Sequence, residues 1–255
     1  MRMEVREFVF LNRNGKRMPA TLRIPEGTVR GTALLLHGLG GWKDQSVIVQ
    51  VAEQLAMGGY QSFIFNAADG SRGPDGNFFK QTTSGYLRDT EDVVDFLKKS
   101  AEHQSPLILV GHSVGGLVAL RFASEHPKDI EKLVLLAPAV SWKMMWWGQL
   151  PWLLAWLVQG KRKWPGPKGE DFYLGRGWVF DFFTFNGYRY ARNVHVPVLV
   201  VSAGKDGTVA RPREHALFVR RFENATQSVV AGAGHAFEGY EQEVADIVAL
   251  WLSSS

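Results

Sequence analysis

Two kinds of hydrophobic pattern alternate along the chain and predict its elements. Short continuous apolar runs, typical of strands covered on both faces, lie at residues 33–36, 60–66, 107–110, 132–137, 196–203 and 228–231. Segments typical of helices lie at residues 46–57, 87–101, 117–124, 212–222 and 237–252. Residues 5–11 and 17–24 alternate like strands, and the turn composition of Asn12-Arg13-Asn14-Gly15 between them predicts an antiparallel hairpin.

The alternation of strands and helices predicts an α/β fold, with a mostly parallel central sheet and helices on both of its faces. In such a sheet, functional side chains are expected on the loops at the carboxyl ends of the strands. The candidate chemistry is therefore sought in the segments that follow each apolar run.

Residues 141–193 interrupt this regular alternation. A crossover between two parallel strands needs only a dozen or more residues, whereas this segment is about fifty residues long. It holds seven of the nine tryptophans: Trp142, Trp146, Trp147, Trp152, Trp156, Trp164 and Trp178. We therefore expect residues 1–140 and 194–255 to form the core, and residues 141–193 to form an inserted cap.

Composition narrows the chemistry. The chain of 255 residues is 45% hydrophobic and 21% charged, which is enough apolar material for one large globular domain. It has no cysteine, which excludes disulfides, thiol catalysis and thiolate metal ligands. No histidine pair has the i, i+4 spacing of a helical zinc site, so we predict neither a catalytic metal nor a cofactor.

Charge and the amino terminus suggest no macromolecular partner. The formal net charge is +4, and the basic residues are scattered except at Lys161-Arg162-Lys163 and Arg220-Arg221. No nucleic-acid-binding motif accompanies them, so nucleic-acid binding is not expected. The first seven residues contain no apolar stretch typical of a signal peptide, which predicts a cytoplasmic location. The sequence leaves the oligomeric state open.

The motif Gly111-His112-Ser113-Val114-Gly115 lies between a predicted strand and a predicted helix. A serine at a sharp strand-to-helix turn is lifted clear of the sheet, and the glycines allow neighbouring backbone to come close. The free N–H groups at the start of the helix favour a developing negative charge. We predict that Ser113 is a nucleophile, the alternative being a glycine-rich turn with an incidental serine.

A serine nucleophile needs a base and a group that orients the base. His235 follows a predicted strand and precedes the last helix, and Asp206 follows the strand at residues 196–203, which gives the chain order Ser, Asp, His. Asp171 and Asp181 are weaker candidates for the acid because they fall in the predicted cap. Other histidines have ordinary explanations: His37 braces its loop, the His112 side chain points away, and His103, His126, His195 and His215 are surface or loop residues.

Taken together, these motifs resemble the α/β-hydrolases of the serine-esterase branch, in order and spacing, from about residue 5 to 252. The resemblance includes His37-Gly38-Leu39-Gly40 and Gly234-His235, and Leu135-Leu136-Ala137-Pro138 is similar to cinnamoyl (feruloyl) esterases and bacterial monoacylglycerol lipases. It implies that Ser113 attacks an ester carbonyl while His235 accepts its proton and Asp206 orients the imidazole. It also implies that the backbone N–H groups of Leu39 and Val114 form the oxyanion hole.

Three interpretations of the tryptophans in the predicted cap remain open. In the first, the rings form the walls of a pocket for an apolar acyl or aryl group, with Trp146, Trp147, Trp152 and Trp178 as candidate substrate contacts. Alternatively, the rings only pack the cap onto the core. A third reading is transient contact with a membrane surface, because Lys161-Arg162-Lys163 follows the apolar stretch, which is too short to span a bilayer and is interrupted by Pro151.

The function expected from the sequence is therefore hydrolysis of a small-molecule ester with an apolar acyl or aryl group. A serine peptidase or a thioesterase on the same scaffold is an alternative, although Glu170-Asp171 alone makes a weak case for capturing a peptide amino terminus. A non-catalytic ligand-binding protein of the same fold is a further alternative, since a fold does not fix a function.

Overall fold

The structure is a computed structural model that describes residues 3–100, 104–140, 150–165, 171–207, 209 and 211–254. Its strands, in chain order, are β1 (Met3–Leu11), β2 (Arg17–Pro25), β3 (Thr32–Leu36), β4 (Gln61–Phe65), β5 (Leu107–His112), β6 (Lys132–Leu136), β7 (Lys161–Pro165), β8 (Asp171–Gly175), β9 (Val198–Ala203) and β10 (Ala225–Val230). Its helices are α1 (Ser46–Met57), α2 (Thr83–Lys99), α3 (Val114–Glu125), α4 (Leu150–Gln159), α5 (Gly177–Phe182), α6 (Gly187–Tyr190), α7 (Pro212–Val219) and α8 (Glu241–Ser254).

One eight-stranded sheet with the order β1-β2-β4-β3-β5-β6-β9-β10 forms the centre of the fold. The strands from β4 to β10 in this order run parallel, whereas β1 and β2 form the predicted antiparallel hairpin and β2 pairs antiparallel with β4. Every residue of β3, β4, β5, β6 and β9 is buried. The continuous apolar runs arise because helices cover both faces of these strands.

Helices pack on each face of the sheet and create two apolar cores. On one face, α2 and α3 pack together and bury a core that includes Phe63, Leu97 and Leu117. On the other face, α1 and α8 pack together around Val51 and Val248. This arrangement confirms the predicted α/β class with helices on both sides.

The starts of α2 and α8 each differ by four residues from the sequence prediction, for local reasons. Helix α2 begins at Thr83 because the Thr82 side chain accepts a hydrogen bond from the Gly85 N–H and caps the first turn. Helix α8 begins only at Glu241, since the residues before it form successive turns in which the Phe237 N–H donates to the Gly234 carbonyl. The delayed start leaves a loop at the carboxyl end of β10.

The segment between β6 and β9 contains α4, the two-stranded β7–β8 hairpin, α5 and α6. The chain returns to its point of departure, since the Gly187 N–H donates to the Val140 carbonyl at 2.8 Å. Within the segment, the Trp156 indole N–H donates to the Leu174 carbonyl at 3.1 Å and joins α4 to the hairpin. No helix among the residues described is long and apolar enough to cross a bilayer.

Candidate active site

Three side chains that are far apart in the sequence form one chain of hydrogen bonds. The Nε2 atom of His235 lies 2.8 Å from the Ser113 Oγ atom, and its Nδ1 atom lies 2.7 Å from the Asp206 Oδ2 atom. Ser113 follows β5, Asp206 follows β9 and His235 follows β10. Because these parallel strands end at the same edge of the sheet, their loops meet there.

The backbone of Ser113 adopts a strained conformation, with φ at 55° and ψ at −118°. Two hydrogen bonds hold it: the Ser113 N–H donates to the Leu136 carbonyl, and its own carbonyl accepts from the Ala139 N–H. Residues with positive φ persist only where the surroundings determine the conformation, and they concentrate at functional sites. The turn therefore presents the hydroxyl above the edge of the sheet.

The two flanking glycines of the motif are required by close packing. A Cβ atom on Gly115 would overlap the His37 carbonyl and lie 2.6 Å from the Leu36 carbonyl, so α3 lies directly against the end of β3. A Cβ atom on Gly111 would overlap the Gly115 carbonyl and lie 2.6 Å from the Gly116 Cα atom. Only glycine avoids both overlaps, which explains the Gly-x-Ser-x-Gly spacing in this chain.

The carboxylate of Asp206 is buried and held at both oxygens. Its side chain is 0% exposed, whereas that of His235 is 18% exposed. The Oδ1 atom accepts a hydrogen bond from the Val209 N–H at 3.0 Å, while Oδ2 contacts His235. An ionised carboxylate only accepts hydrogen bonds, so the proton of the neutral His235 ring lies on Nδ1. The Nε2 atom is then free to accept the Ser113 hydroxyl proton.

Of the two predicted oxyanion donors, Val114 follows Ser113 in the chain, and Leu39 lies in a loop that runs past it. Val114 is the first residue of α3, where backbone N–H groups have no partner within the helix. The loop after β3 runs directly past the serine, because a Cβ atom on Gly38 would lie 3.2 Å from the Ser113 Cβ atom. Leu39 follows in that loop. The role of both N–H groups as an oxyanion hole stays a prediction.

His37 braces the loop after β3, as predicted. Its Nδ1 atom lies 2.8 Å from the Gly38 carbonyl, and its Nε2 atom accepts a hydrogen bond from the Ala67 N–H at 3.3 Å. Its ring also stacks on Tyr86. Burial lowers the pKa of His37 to about 4, so the ring is neutral near pH 7 and its Nδ1–H donates to the carbonyl.

The prediction that the His112 side chain points away from the site was wrong. Its Nε2 atom lies 3.0 Å from the backbone carbonyl of His235, and its ring centre lies 5.2 Å from that of His235. The Gln45 amide contacts its Nδ1 atom at 3.3 Å. Burial, and secondly the neighbouring His235, lower the pKa of His112 to about 3. The ring is therefore neutral and holds the loop that carries His235.

The prediction that His215 is a surface or loop residue was also wrong, because it lies fully buried in α7. Its Nδ1 atom lies 3.0 Å from the Ser202 Oγ atom, and its Nε2 atom lies 3.1 Å from the Pro138 carbonyl. Burial lowers its pKa. His215 thus joins α7 to Pro138, whose neighbour Ala139 donates a hydrogen bond to the Ser113 carbonyl. Its neighbours, Ser202 and Pro138, are 13 and 77 residues away, which no sequence pattern reveals.

Of the four candidate tryptophans, the structure describes the side chain of Trp178. Trp146 and Trp147 lie outside the described residues, and Trp152 lies in α4 with its side chain outside them. Trp178 is 2% exposed and stacks between Trp156 and Phe182, with ring centres 5.6 and 4.7 Å away. Its role in binding substrate stays a prediction.

Trp164, which was not among the four candidate substrate contacts, lies against the loop after β3. A Cβ atom on Gly40, whose φ is +71°, would overlap the Trp164 Nε1 atom. The β7–β8 hairpin therefore contacts the residue next to Leu39.

Asp181, a weaker candidate for the acid, instead accepts a hydrogen bond from the Ser84 N–H at 2.9 Å, away from His235.

Comparisons with known proteins agree with this architecture. Residues 27–171 match the family described as Hydrolase_4, serine aminopeptidase, S33. Est1E from Butyrivibrio proteoclasticus, with ferulic acid bound, is 20% identical with a TM-score of 0.81, covering 97% of this chain and 98% of that one. Its likeness shows the α/β-hydrolase fold.

Two curated proteins match shorter stretches. Lipase 3 of Moraxella sp. (strain TA144) is 31% identical over 114 residues, which cover 43% of this chain and 32% of the lipase. A protein of Oryza sativa subsp. japonica named "Probable 1-acylglycerol-3-phosphate O-acyltransferase" is 44% identical over 41 residues, covering 16% of this chain and 10% of that protein. The chain thus spans about a third or less of the length of both curated relatives.

Proposed function

Because the chain belongs to the Hydrolase_4 family, described as serine aminopeptidase, S33, we propose that it is a serine hydrolase that cleaves carboxylic esters. The hydrogen-bonded series Ser113, His235 and Asp206 carries this proposal. A serine hydroxyl is a weak nucleophile at neutral pH unless a base lies within hydrogen-bond reach and a third group orients that base. Here both distances lie in the required range.

The proposed reaction has two halves. The Ser113 Oγ atom attacks the ester carbonyl as its proton passes to His235 Nε2, and the carbonyl oxygen becomes an oxyanion beside the Val114 and Leu39 N–H groups. The C–O bond to the alcohol then breaks, and His235 protonates the departing alcohol. Water, deprotonated by His235, attacks the acyl-enzyme, and the acid leaves as the Ser113 hydroxyl is restored.

An apolar acyl or aryl group is the proposed substrate feature. Trp164 places an indole against Gly40, next to the proposed oxyanion donor Leu39, where a wall of the acyl pocket would stand. The ferulic acid bound in the Est1E structure is an aromatic acid, and one curated relative is named Lipase 3. Both support a bulky apolar group on the carbonyl side.

The first experiment tests the nucleophile. Purified protein is treated with a fluorophosphonate probe and assayed with p-nitrophenyl butyrate, and Ser113→Ala is expected to abolish labelling and reduce turnover ~10⁶-fold. Ser202→Ala is the matched control, because Ser202 also contacts a histidine but lies outside the proposed site. Labelling that persists in Ser113→Ala, or an unreactive wild type as expected for a binding protein, would refute the proposal.

The second experiment tests the acyl group. Hydrolysis of p-nitrophenyl esters from acetate to decanoate, and of methyl ferulate, is compared by kcat/KM. We expect kcat/KM to rise beyond acetate because the longer acyl groups bury more apolar surface. Preference for acetate with no gain at butyrate or longer would contradict an apolar acyl pocket.

The family description favours one further candidate, an aminopeptidase. Aminoacyl p-nitroanilides measured beside the esters separate the two functions. An aminopeptidase would hydrolyse leucine p-nitroanilide and lose activity when its amino group is acetylated, whereas an esterase is expected to cleave neither anilide at a comparable rate. A thioesterase would show higher kcat/KM for an acyl coenzyme A than for the matching ester.

A further inference from the structure

Exposed apolar side chains lie on α4 and on the short 3₁₀ turn that borders the same groove. Leu154 and Val158 lie one turn apart on α4 and are 54% and 84% exposed. Phe79, in the short 3₁₀ turn Phe78–Lys80 before α2, is 45% exposed and packs beside Gly175 of β8. Val158 and Phe79 line the same open groove, whose volume is about 630 Å³.

Three cations border these apolar side chains. Lys80 and Arg176 line the groove itself, and Lys161 follows Gly160 of the groove at the start of β7. The Arg176 N–H donates to the Gly160 carbonyl, which places both ends of the hairpin beside α4. The Lys161 ammonium lies 4.6 Å from the centre of the Tyr173 ring. We call Leu154, Val158, Phe79, Lys80, Lys161 and Arg176 together the hairpin patch.

In the described residues, the cations of the hairpin patch lack the ion pairs that Arg13, Lys16 and Arg17 make elsewhere on the surface. Arg13, Lys16 and Arg17 each pair with a carboxylate at 2.6 to 2.8 Å. For Lys80, Lys161 and Arg176, by contrast, no carboxylate lies within ion-pair distance among the residues that the structure describes. Within the described part of the chain, the patch thus presents positive charge without a paired carboxylate around exposed apolar groups.

We propose that the hairpin patch docks on an anionic lipid surface. A membrane interface offers acyl chains for apolar side chains and negative headgroups for cations at the same depth, which matches the composition of the patch. Aromatic residues such as Tyr173 suit the boundary between the two layers. A water-soluble protein partner would need carboxylates at matching positions, whereas a lipid headgroup layer supplies negative charge wherever the cations lie.

The geometry places the docked surface at one end of the hairpin and the reaction at the other. Lys161 and Trp164 lie three residues apart on β7, about 10 Å along the strand, and Trp164 contacts Gly40 beside the proposed active site. The docked protein would therefore hold that site close to the lipid layer without immersing it. Docking itself does not depend on turnover, so the inference can fail or stand separately from the proposed esterase activity.

Sedimentation with lipid vesicles tests the proposal. Full-length protein, and Ser113→Ala to prevent lipid hydrolysis, is mixed with sucrose-loaded vesicles of phosphatidylcholine, with and without 30 mol% phosphatidylglycerol, at low salt. We expect binding to the anionic vesicles, at least ~10-fold weaker binding to phosphatidylcholine alone, and a further decrease with added salt. Equal binding to both vesicles, or to neither, would overturn the proposal.

Two variants locate the contact. Leu154→Glu/Val158→Glu is expected to weaken binding at least ~10-fold, and Lys161→Glu/Arg176→Glu to abolish the preference for phosphatidylglycerol. Leu250→Glu is the matched control, because Leu250 is 69% exposed on α8, outside the patch, and should bind like wild type. Circular dichroism and labelling by the fluorophosphonate probe verify that each variant is folded.

Other occupants give distinguishable results. If a second copy of the chain covers the patch, size-exclusion chromatography of the wild type shows a dimer that Leu154→Glu/Val158→Glu converts to a monomer, and the proposal is wrong. If Leu250→Glu loses as much binding as the patch variants, the attraction is general electrostatics and the patch has no special role. Loss of vesicle binding confined to the patch variants supports the proposal.

Discussion

The imidazole of His112 donates its Nε2–H to the backbone carbonyl of His235, across 3.0 Å and 123 residues of sequence. The donor is fixed because a neutral ring that gives its proton to a carbonyl leaves Nδ1 as an acceptor, which the Gln45 amide occupies. His112, in the serine motif, therefore holds the loop that carries His235. We expect any effect of His112 on activity to act through the position of His235, since the contact that the structure shows is with the His235 backbone.

Replacing His112 tests this positioning role. His112→Leu is expected to lower kcat ~10- to 100-fold with little change in KM, since a base displaced by a fraction of an ångström transfers protons poorly while substrate binding is unaffected. His112→Gln, whose amide can still donate to the His235 carbonyl, should recover most of the activity. Equal losses in both variants, or a change confined to KM, would show that the ring only fills space.

Asp206 is expected to act by fixing the tautomer of His235. Asp206→Asn preserves the shape but can donate to Nδ1, which leaves the proton on Nε2 and prevents it from accepting the serine proton; we expect kcat to fall ~10⁴-fold. Asp181→Asn is the matched control, because that carboxylate only accepts a hydrogen bond from the Ser84 N–H. Single-turnover acylation measures the effect directly. A fall of less than tenfold for Asp206→Asn would remove Asp206 from the site.

Gly115 is expected to tolerate no side chain. Gly115→Ala would push a methyl group into the His37 and Leu36 carbonyls, where backbone has to move, so we expect the free energy of unfolding to fall by ~3 kcal/mol. Gly177→Ala is the control, since a Cβ atom there meets nothing within 4 Å. Urea denaturation of both variants measures the difference. Similar stabilities would mean that the turn is looser than its contacts indicate.

The buried neutral histidines make stability depend on pH. The pKa is lowered to about 4 at His37 and to about 3 at His112, so the unfolded chain binds more protons than the folded one below pH 6.5. Stability is therefore full above pH 6.5, and we expect it to be lost by ~1.4 kcal/mol per pH unit for each histidine as the pH falls toward 4.

Urea denaturation between pH 7.5 and 4.5 measures that slope. His112→Gln removes one titrating group, so its free energy of unfolding should fall less steeply with acid than that of the wild type. The comparison between variant and wild type cancels carboxylates that titrate in both, including Asp89, whose pKa burial raises. Parallel pH profiles in the two proteins would mean that His112 is protonated without penalty.

Most of the fold could be predicted because the strands of the parallel sheet are buried on both faces and read as continuous apolar runs. The prediction for α1, residues 46–57, agrees with Ser46–Met57, where Gly58 and Gly59 follow the last turn. The order of Ser113, Asp206 and His235 also predicted which side chains the structure brings together, because each follows a strand of one parallel sheet.

Contacts between distant segments could not be predicted. Three examples are the hydrogen bond from His112 to His235, the burial of His215 and the packing of Trp164 on Gly40. Each depends on residues too far apart in the sequence for hydrophobic periodicity to relate them. The sequence around His112 does not indicate which way its side chain points. Such contacts depend on how loops from different strands meet, which the pattern of apolar positions does not encode.

The hydrogen bond between Gly187 and Val140 closes the intervening stretch of chain into a loop with touching ends. A glycine is needed there, since a Cβ atom would lie 2.7 Å from the Val140 carbonyl. An excursion that leaves and rejoins the scaffold at one point can change length or be exchanged without stretching the sheet below it. If the proposed function holds, we expect that exchanging this segment changes substrate selectivity while Ser113, His235 and Asp206 keep their positions.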